Sequence, residues 1–231
     1  YIRDSDQFAA LDDAQRKSID NALRDFRLAG VALPEAQKTR YAALRKRLSE
    51  LSSAFGENVL DATSAWSKDV TSEQLHGLPE SALASAKHAA DLAGKSGYLI
   101  TLELPSYLPV MTYCENRALR EEVYTAFCTR ASAEGFGKSD WDNTAIIEET
   151  LSLRKKLAKL LGFTSYAGLS LATKMADSPE RVLDFLQELG RQSLPQARRE
   201  RDELEAFASA AGLPDLQAWD VAFYSEKLKQ E

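Results

Sequence analysis

His76 and His88 are the only histidines in the chain. A zinc site built on one helix needs two histidines four apart, so that both imidazoles face the ion. These two are twelve apart, and His76 falls in the turn-like stretch LHGLP. The reading is a polar turn residue at His76 and, for His88, an i, i+3 hydrogen bond to Asp91 on a helix surface. Cys114 and Cys128 lie fourteen apart, a spacing that suits neither a metal knuckle nor a redox CxxC. Both are expected to be small buried apolar side chains. Glu121-Glu122 and Glu148-Glu149 are paired carboxylates. Adjacent residues on a helix point about 100° apart, so neither pair converges on a substrate, and both are expected to face solvent. There is no GxSxG elbow and no HExxH. The glycines of SAEGFGKSDWDN (Ser132–Asn143) follow a helix rather than a strand, which excludes a phosphate cradle. Spacing therefore assigns no catalytic, cofactor-binding or metal-ligating residue.

The bulk numbers narrow the class. The chain has 231 residues, 44% hydrophobic and 28% charged, ordinary for a globular protein and too apolar for disorder. Its net charge of −6 gives no electrostatic reason to expect nucleic acid. The short basic runs Arg45-Lys46-Arg47, Arg154-Lys155-Lys156 and Arg198-Arg199 sit among acidic residues and read as solvated helix faces. No apolar run reaches about eighteen residues, so no membrane partner is expected. Two cysteines in a chain this long suit a reducing compartment, which points to the cytoplasm.

The elements that must carry any site are nearly all helices, and the fold class expected is mainly α. Asp12 and Gln15 form a capping box ahead of an apolar face of Ile19, Ala22, Leu23 and Phe26. Gly30 closes that helix and Pro34 opens the next. Tyr41, Leu44, Leu48, Leu51, Phe55 and Val59 then form a coiled-coil-like seam. The short connection from Gly30 to Pro34 implies a long antiparallel helix hairpin. A helix follows from Leu78-Pro79 to about Ala93. GYLITLELP (Gly97–Pro105) alternates and is bounded by Gly and Pro. It is at most a minor strand near 98–103, with no convincing partner in the sequence. Further helices are expected over about Ser106–Cys114, Glu115–Ala131 and Thr144–Leu161. The last of these carries Ile146, Leu153, Leu157 and Leu160 on one face. Ser178 caps a helix whose core face carries Val182, Phe185, Leu186 and Leu189, and Pro195 should kink or split it. In the last helix, Leu216, Trp219 and Phe223 fall on one face and Val221, Tyr224 and Leu228 on another, with Asp215 as N-cap.

Longer stretches carry a resemblance that spacing does not. LRKKLAKLLGFTSYAGLSLATKMADSPERVLDFL (Leu153–Leu186), LPSYLPVMTYCENRALREEVYTAF (Leu104–Phe127), TRAS (Thr129–Ser132), WDN (Trp141–Asn143), RLSELSSAFGENVLDAT (Arg47–Thr63) and WDVAFYSEKLKQ (Trp219–Gln230) resemble the thimet-oligopeptidase family of zinc metallopeptidases. The likeness runs over essentially the whole chain. It implies a mainly helical protein with a deep channel that admits short peptides, excludes folded proteins and cleaves internal peptide bonds. In that family zinc is held by an HExxH helix and a later glutamate, and the HExxH glutamate activates the zinc-bound water.

This sequence lacks HExxH, so the resemblance carries over no catalytic or metal residue. It implies Zn2+ in a longer parent enzyme and none on residues of this chain. The expectation is a segment cut from the N-terminal-to-middle part of such an enzyme, with its partner the catalytic portion beyond residue 231. Residues 1–70 would form the helical hairpin. Residues 71–231 would form a helical region continuing into that portion, leaving Trp219, Phe223 and Leu228 exposed. The alternative is a free-standing helical module for binding or scaffolding, without peptidase activity.

Overall fold

The structure, a computed structural model, describes residues 3–137 and 140–231. The glycine loop of Ser132–Asn143 therefore lies partly outside the described residues. The fold is mainly α, with ten α-helices and one small sheet among the described residues. In chain order they are α1 (Asp6–Ala9), α2 (Asp13–Leu28), α3 (Glu35–Ala65), β1 (Ser67–Val70), α4 (Glu80–Leu92) and β2 (Tyr98–Thr101). Then follow α5 (Leu104–Tyr113), α6 (Arg117–Thr129), α7 (Thr144–Leu160), α8 (Tyr166–Leu171), α9 (Pro179–Ala210) and α10 (Ala218–Gln230). No helix among the described residues is long and apolar enough to cross a membrane. The chain divides into two compact units, residues 1–53 with 146–187 and residues 54–145 with 188–231.

In the first unit the capping box forms: Asp12 Oδ1 accepts from Gln15 N–H at 2.8 Å and Gln15 Oε1 from Asp12 N–H at 3.1 Å. The Tyr41 hydroxyl donates to the Leu28 carbonyl at 3.0 Å, tying the start of α3 to the end of α2. Arg47 donates twice to the Glu149 carboxylate, at 2.7 and 2.8 Å, joining α3 to α7 with the planar fork that only arginine offers. Glu149 thus has a partner, whereas Glu148 is exposed. Leu44 and Leu51 of the α3 seam are buried, as are Leu157 and Ala158 of α7. α2 contributes no buried residue, and Phe26 on its apolar face is exposed.

The second unit holds the main core: Val70, Leu75, Leu78, Ile100, Leu102, Val110, Met111, Leu119 and Val123 with their neighbours. The partner strand, judged missing from the sequence, is present. β1 pairs antiparallel with β2 in the register Ser67↔Thr101 to Val70↔Tyr98. SKDV escapes a strand reading because Val70 is its single apolar residue. Its charged side chains are neutralised from outside the strand, Lys68 by Glu122 at 2.6 Å and Asp69 by Lys95 at 3.1 Å. β2 also departs from alternation, since Leu99 and Ile100 are both buried. A strand covered on both faces loses the period-2 signal.

Further expectations fail. Pro195 does not split its helix, and α9 continues through it. One missing N–H removes a single ladder bond, and long runs of helix formers on either side hold the rest. The supposed core face of α9 is not a core: Phe185, Leu186 and Leu189 are exposed. Helical periodicity identifies an apolar face but does not supply a neighbour to cover it. Conversely, the face of α10 expected to be bare is covered. Phe223 is buried, Trp219 and Leu228 are half-buried, and α10 packs on α5 and α6.

The turn between His76 and α4 depends on one glycine. Gly77 has φ +92, and a Cβ there would sit inside the van der Waals shell of the Tyr113 carbonyl oxygen. Gly94 has φ +68 with open space around it. Gly94→Ala is expected to cost about 1–2 kcal/mol, the left-handed penalty alone. Gly77→Ala should cost more, because the backbone must also shift. Urea unfolding midpoints of the two variants test this, and equal losses would remove the steric account of Gly77.

Candidate functional site

The residues considered for chemistry land apart. His76 Nδ1 lies 2.8 Å from Glu115 Oε2, and the Glu115 N–H donates to the His76 carbonyl at 2.9 Å. This exposed clamp fastens the turn before α4 to the turn after α5. His88 is exposed, and the expected partner Asp91 instead takes Lys87 at 2.8 Å, the better-placed i, i+4 cation. The Cys114 thiol is buried and donates to the Gln74 carbonyl at 3.3 Å. Burial pushes its pKa up, so it is a thiol at neutral pH and a poor nucleophile. Cys128, expected to be buried, is exposed: the buried positions of α6 are Leu119, Arg120, Val123 and Ala126, and Cys128 falls off that face. Glu121 and Glu122 are exposed, with Glu122 held by Lys68.

The zinc that the family resemblance implies finds no fitting ligand set here. Among the described residues no group of three or more His, Cys, Asp or Glu side chains is placed to hold a metal ion. His76 is committed to Glu115, and His88 stands on a separate element.

The densest charged constellation is one that spacing passed over. Asp220, in the first turn of α10, has no exposed surface. Its Oδ1 accepts from Arg120 at 2.7 Å and its Oδ2 from Arg117 at 2.8 Å. Oδ2 also accepts the Gln217 N–H at 3.1 Å. Asp220 thereby caps its own helix from the third position, and Gln217 rather than Asp215 is the N-cap. Arg120, 1% exposed, spends its remaining donors on the Cys114 carbonyl at 2.7 Å and the Trp219 carbonyl at 3.2 Å. Its guanidinium also lies 4.1 Å from the Phe223 ring centroid. Burial pushes the Asp220 pKa up, but the hydrogen bonds from Arg117, Arg120 and Gln217 outweigh it and hold the carboxyl below its ordinary range. Asp220 and Arg120 find their partners within the protein, while the Arg117 side chain is partly open to solvent. The cluster's chemistry is to join α5, α6 and α10. The sequence signal was a charged residue on an otherwise apolar face, Asp220 between Trp219 and Phe223, with two arginines three apart in NRALR.

The described residues of the second unit line several grooves, among them the two that follow. One, of about 430 Å³, runs between the C-terminal part of α9 and α10, with Leu204, Leu216, Val221 and Leu228 as apolar lining. The other, of about 400 Å³, lies between α3, the start of α5 and the end of α6, and includes Leu60, Leu104, Phe127 and Arg130.

Comparison with known proteins gives this geometry a setting. The family model described as Peptidase family M3 matches residues 110–231, just over half of the chain. The chain is 54% identical over 231 residues to a protein named oligopeptidase A from Salmonella typhimurium (strain LT2), covering 99% of this chain and 34% of that one. It is equally similar, with the same coverage, to oligopeptidase A of Escherichia coli (strain K12). A protein of Arabidopsis thaliana named probable cytosolic oligopeptidase A is 40% identical over 240 residues, covering 99% of this chain and 33% of the relative. The chain thus spans about a third of the length of the curated relatives it matches.

Asp220→Asn leaves two guanidinium groups facing a neutral amide and should destabilise the chain by about 3–5 kcal/mol. Arg117→Gln should cost less, because the Arg117 side chain is 41% exposed and water replaces its partner. The folded-state pKa of Asp220 lies below the unfolded value of about 3.9. Its contribution is therefore complete above about pH 4 and lost as pH falls through the folded value. Denaturant unfolding from pH 7 to pH 2 checks both points: the gap between parent and Asp220→Asn should hold to about pH 4 and close below it.

Proposed function

The chain belongs to peptidase family M3, and from that membership we propose that it forms a non-catalytic helical segment of a zinc-dependent oligopeptidase. The parent enzyme hydrolyses internal bonds of short peptides with a zinc-activated water. The observation that carries this reading is the 54% identity to oligopeptidase A running along 99% of the chain. Absence of HExxH from the sequence supports placing the chemistry on a catalytic portion outside these 231 residues. In this reading the segment's partners are that portion and, in the assembled enzyme, short peptides; neither nucleic acid nor membrane is among them. Its helices wall the channel, so their task is to limit what reaches the zinc. No catalytic step is assigned to any residue here. The two cysteines support a cytoplasmic setting, as does the word cytosolic in the name of the Arabidopsis relative.

Hydrolysis of a quenched fluorescent decapeptide tests this, comparing the 231-residue chain with the protein from the uninterrupted gene. The longer protein should cleave, lose activity to a chelator and regain it with zinc, and the chain should be inert. Cleavage by the chain itself would overturn the placement of the chemistry. If neither cleaves, a free-standing helical binding module becomes the better account.

A further inference from the structure

Arg130 stands just beyond the end of α6 and is half-buried. No carboxylate among the described residues lies within ion-pair distance of it. One of its Nη atoms donates to the Phe127 carbonyl, while its Nε is buried with no acceptor at all. The guanidinium lies 3.7 Å from the Phe127 ring centroid. A cation in this state has lost much of its hydration and regained one hydrogen bond and a ring face. Arg120, which is buried, has by contrast a partner at each of its three nitrogens.

The buried Nε is out of reach of a groove ligand, but the residue as a whole is half-buried and also lines a groove. This is the groove of about 400 Å³ described above, which Arg130 lines together with Thr63, Glu103 and a mainly apolar remainder that includes Leu60, 62% exposed, and Leu104, 54% exposed. Val59 and Phe127 continue the apolar lining, and Glu103 is the groove's single carboxylate, not close enough to pair with Arg130. An apolar trough with one under-partnered guanidinium and one free acceptor matches a ligand with three parts. These are an apolar side chain, a carboxylate and a hydrogen-bond donor. We infer that this groove binds the carboxyl end of a short peptide, its terminal carboxylate on Arg130 and its apolar side chain against Leu60 and Leu104. Glu103 then takes a backbone N–H of the same peptide. The inference rests on the reading that the parent acts on short peptides, and it assigns them a holding site on this segment.

Calorimetric titration of the 231-residue chain with N-acetyl-Leu-Leu as the free acid, with its C-terminal amide and with inorganic phosphate tests it. The free acid should bind at least about tenfold more tightly than the amide, the loss expected for one charge-assisted hydrogen bond. Phosphate should bind more weakly than the acid, because it lacks the apolar part. Arg130→Gln should reduce acid and amide to the same affinity. Because Arg130 also packs on Phe127, Leu60→Glu provides an independent variant at an exposed position, and it should weaken the acid about tenfold by like charge and lost contact. Equal binding of acid and amide, phosphate binding as tightly as the acid, an unchanged Leu60→Glu titration, or no heat at millimolar acid each overturns the site. The readout is binding to this chain without hydrolysis, so failure here leaves the peptidase reading standing, and inactivity of the longer protein leaves this titration standing.

Discussion

A carboxylate cut off from water must find its compensation inside the protein. Asp220 finds it in two guanidinium groups and a backbone N–H, and the second unit is arranged around that requirement. Arg120 reaches from α6 to the end of α5 through the Cys114 carbonyl and to α10 through Trp219 and Asp220. One side chain thus sets the relation of three helices. An apolar replacement of similar volume would pack; the charge pair adds a penalty on any placement of α10 that leaves Asp220 buried and unpaired.

Around that junction the core is conventional in its physics. Aliphatic side chains from β1, α4, β2, α5 and α6 close over one another, and Tyr107 stacks on Phe127 at 4.0 Å between centroids. The sheet is a two-strand clasp, its polar edge neutralised by Lys68–Glu122 and Asp69–Lys95. Membership of peptidase family M3 gives these parts a common purpose in the proposed reading. A wall beside a peptide channel must be rigid, and it must present surface of chosen character rather than reactive groups.

The sequence made the helices legible wherever a cap and a 3.6-residue period agreed: Asp12 with Gln15, Ser178 before Pro179, Gly94 after α4. It failed where the deciding partner was distant. SKDV became a strand only because residues about thirty positions later pair with it. Phe185, Leu186 and Leu189 display a core period yet stay exposed, while Asp220 breaks its apolar face and is buried. The same blindness hid the charged cluster, since Arg120 and Asp220 are 100 residues apart. Family resemblance was readable because it compares whole stretches and needs no single residue to declare its role. No catalytic residue was assigned from the sequence, and what Arg130 lacks became visible only once its surroundings were built.

The distribution of the core along the chain bears on the order in which the molecule assembles. Every buried member of the main cluster lies between Val70 and Ala126. That stretch can collapse as soon as it is synthesised, closing only short loops. α10 arrives about a hundred residues later, and its docking must close a long loop, with the intervening chain as its entropic opponent. Until then Arg117 and Arg120 lack the carboxylate that Asp220 supplies.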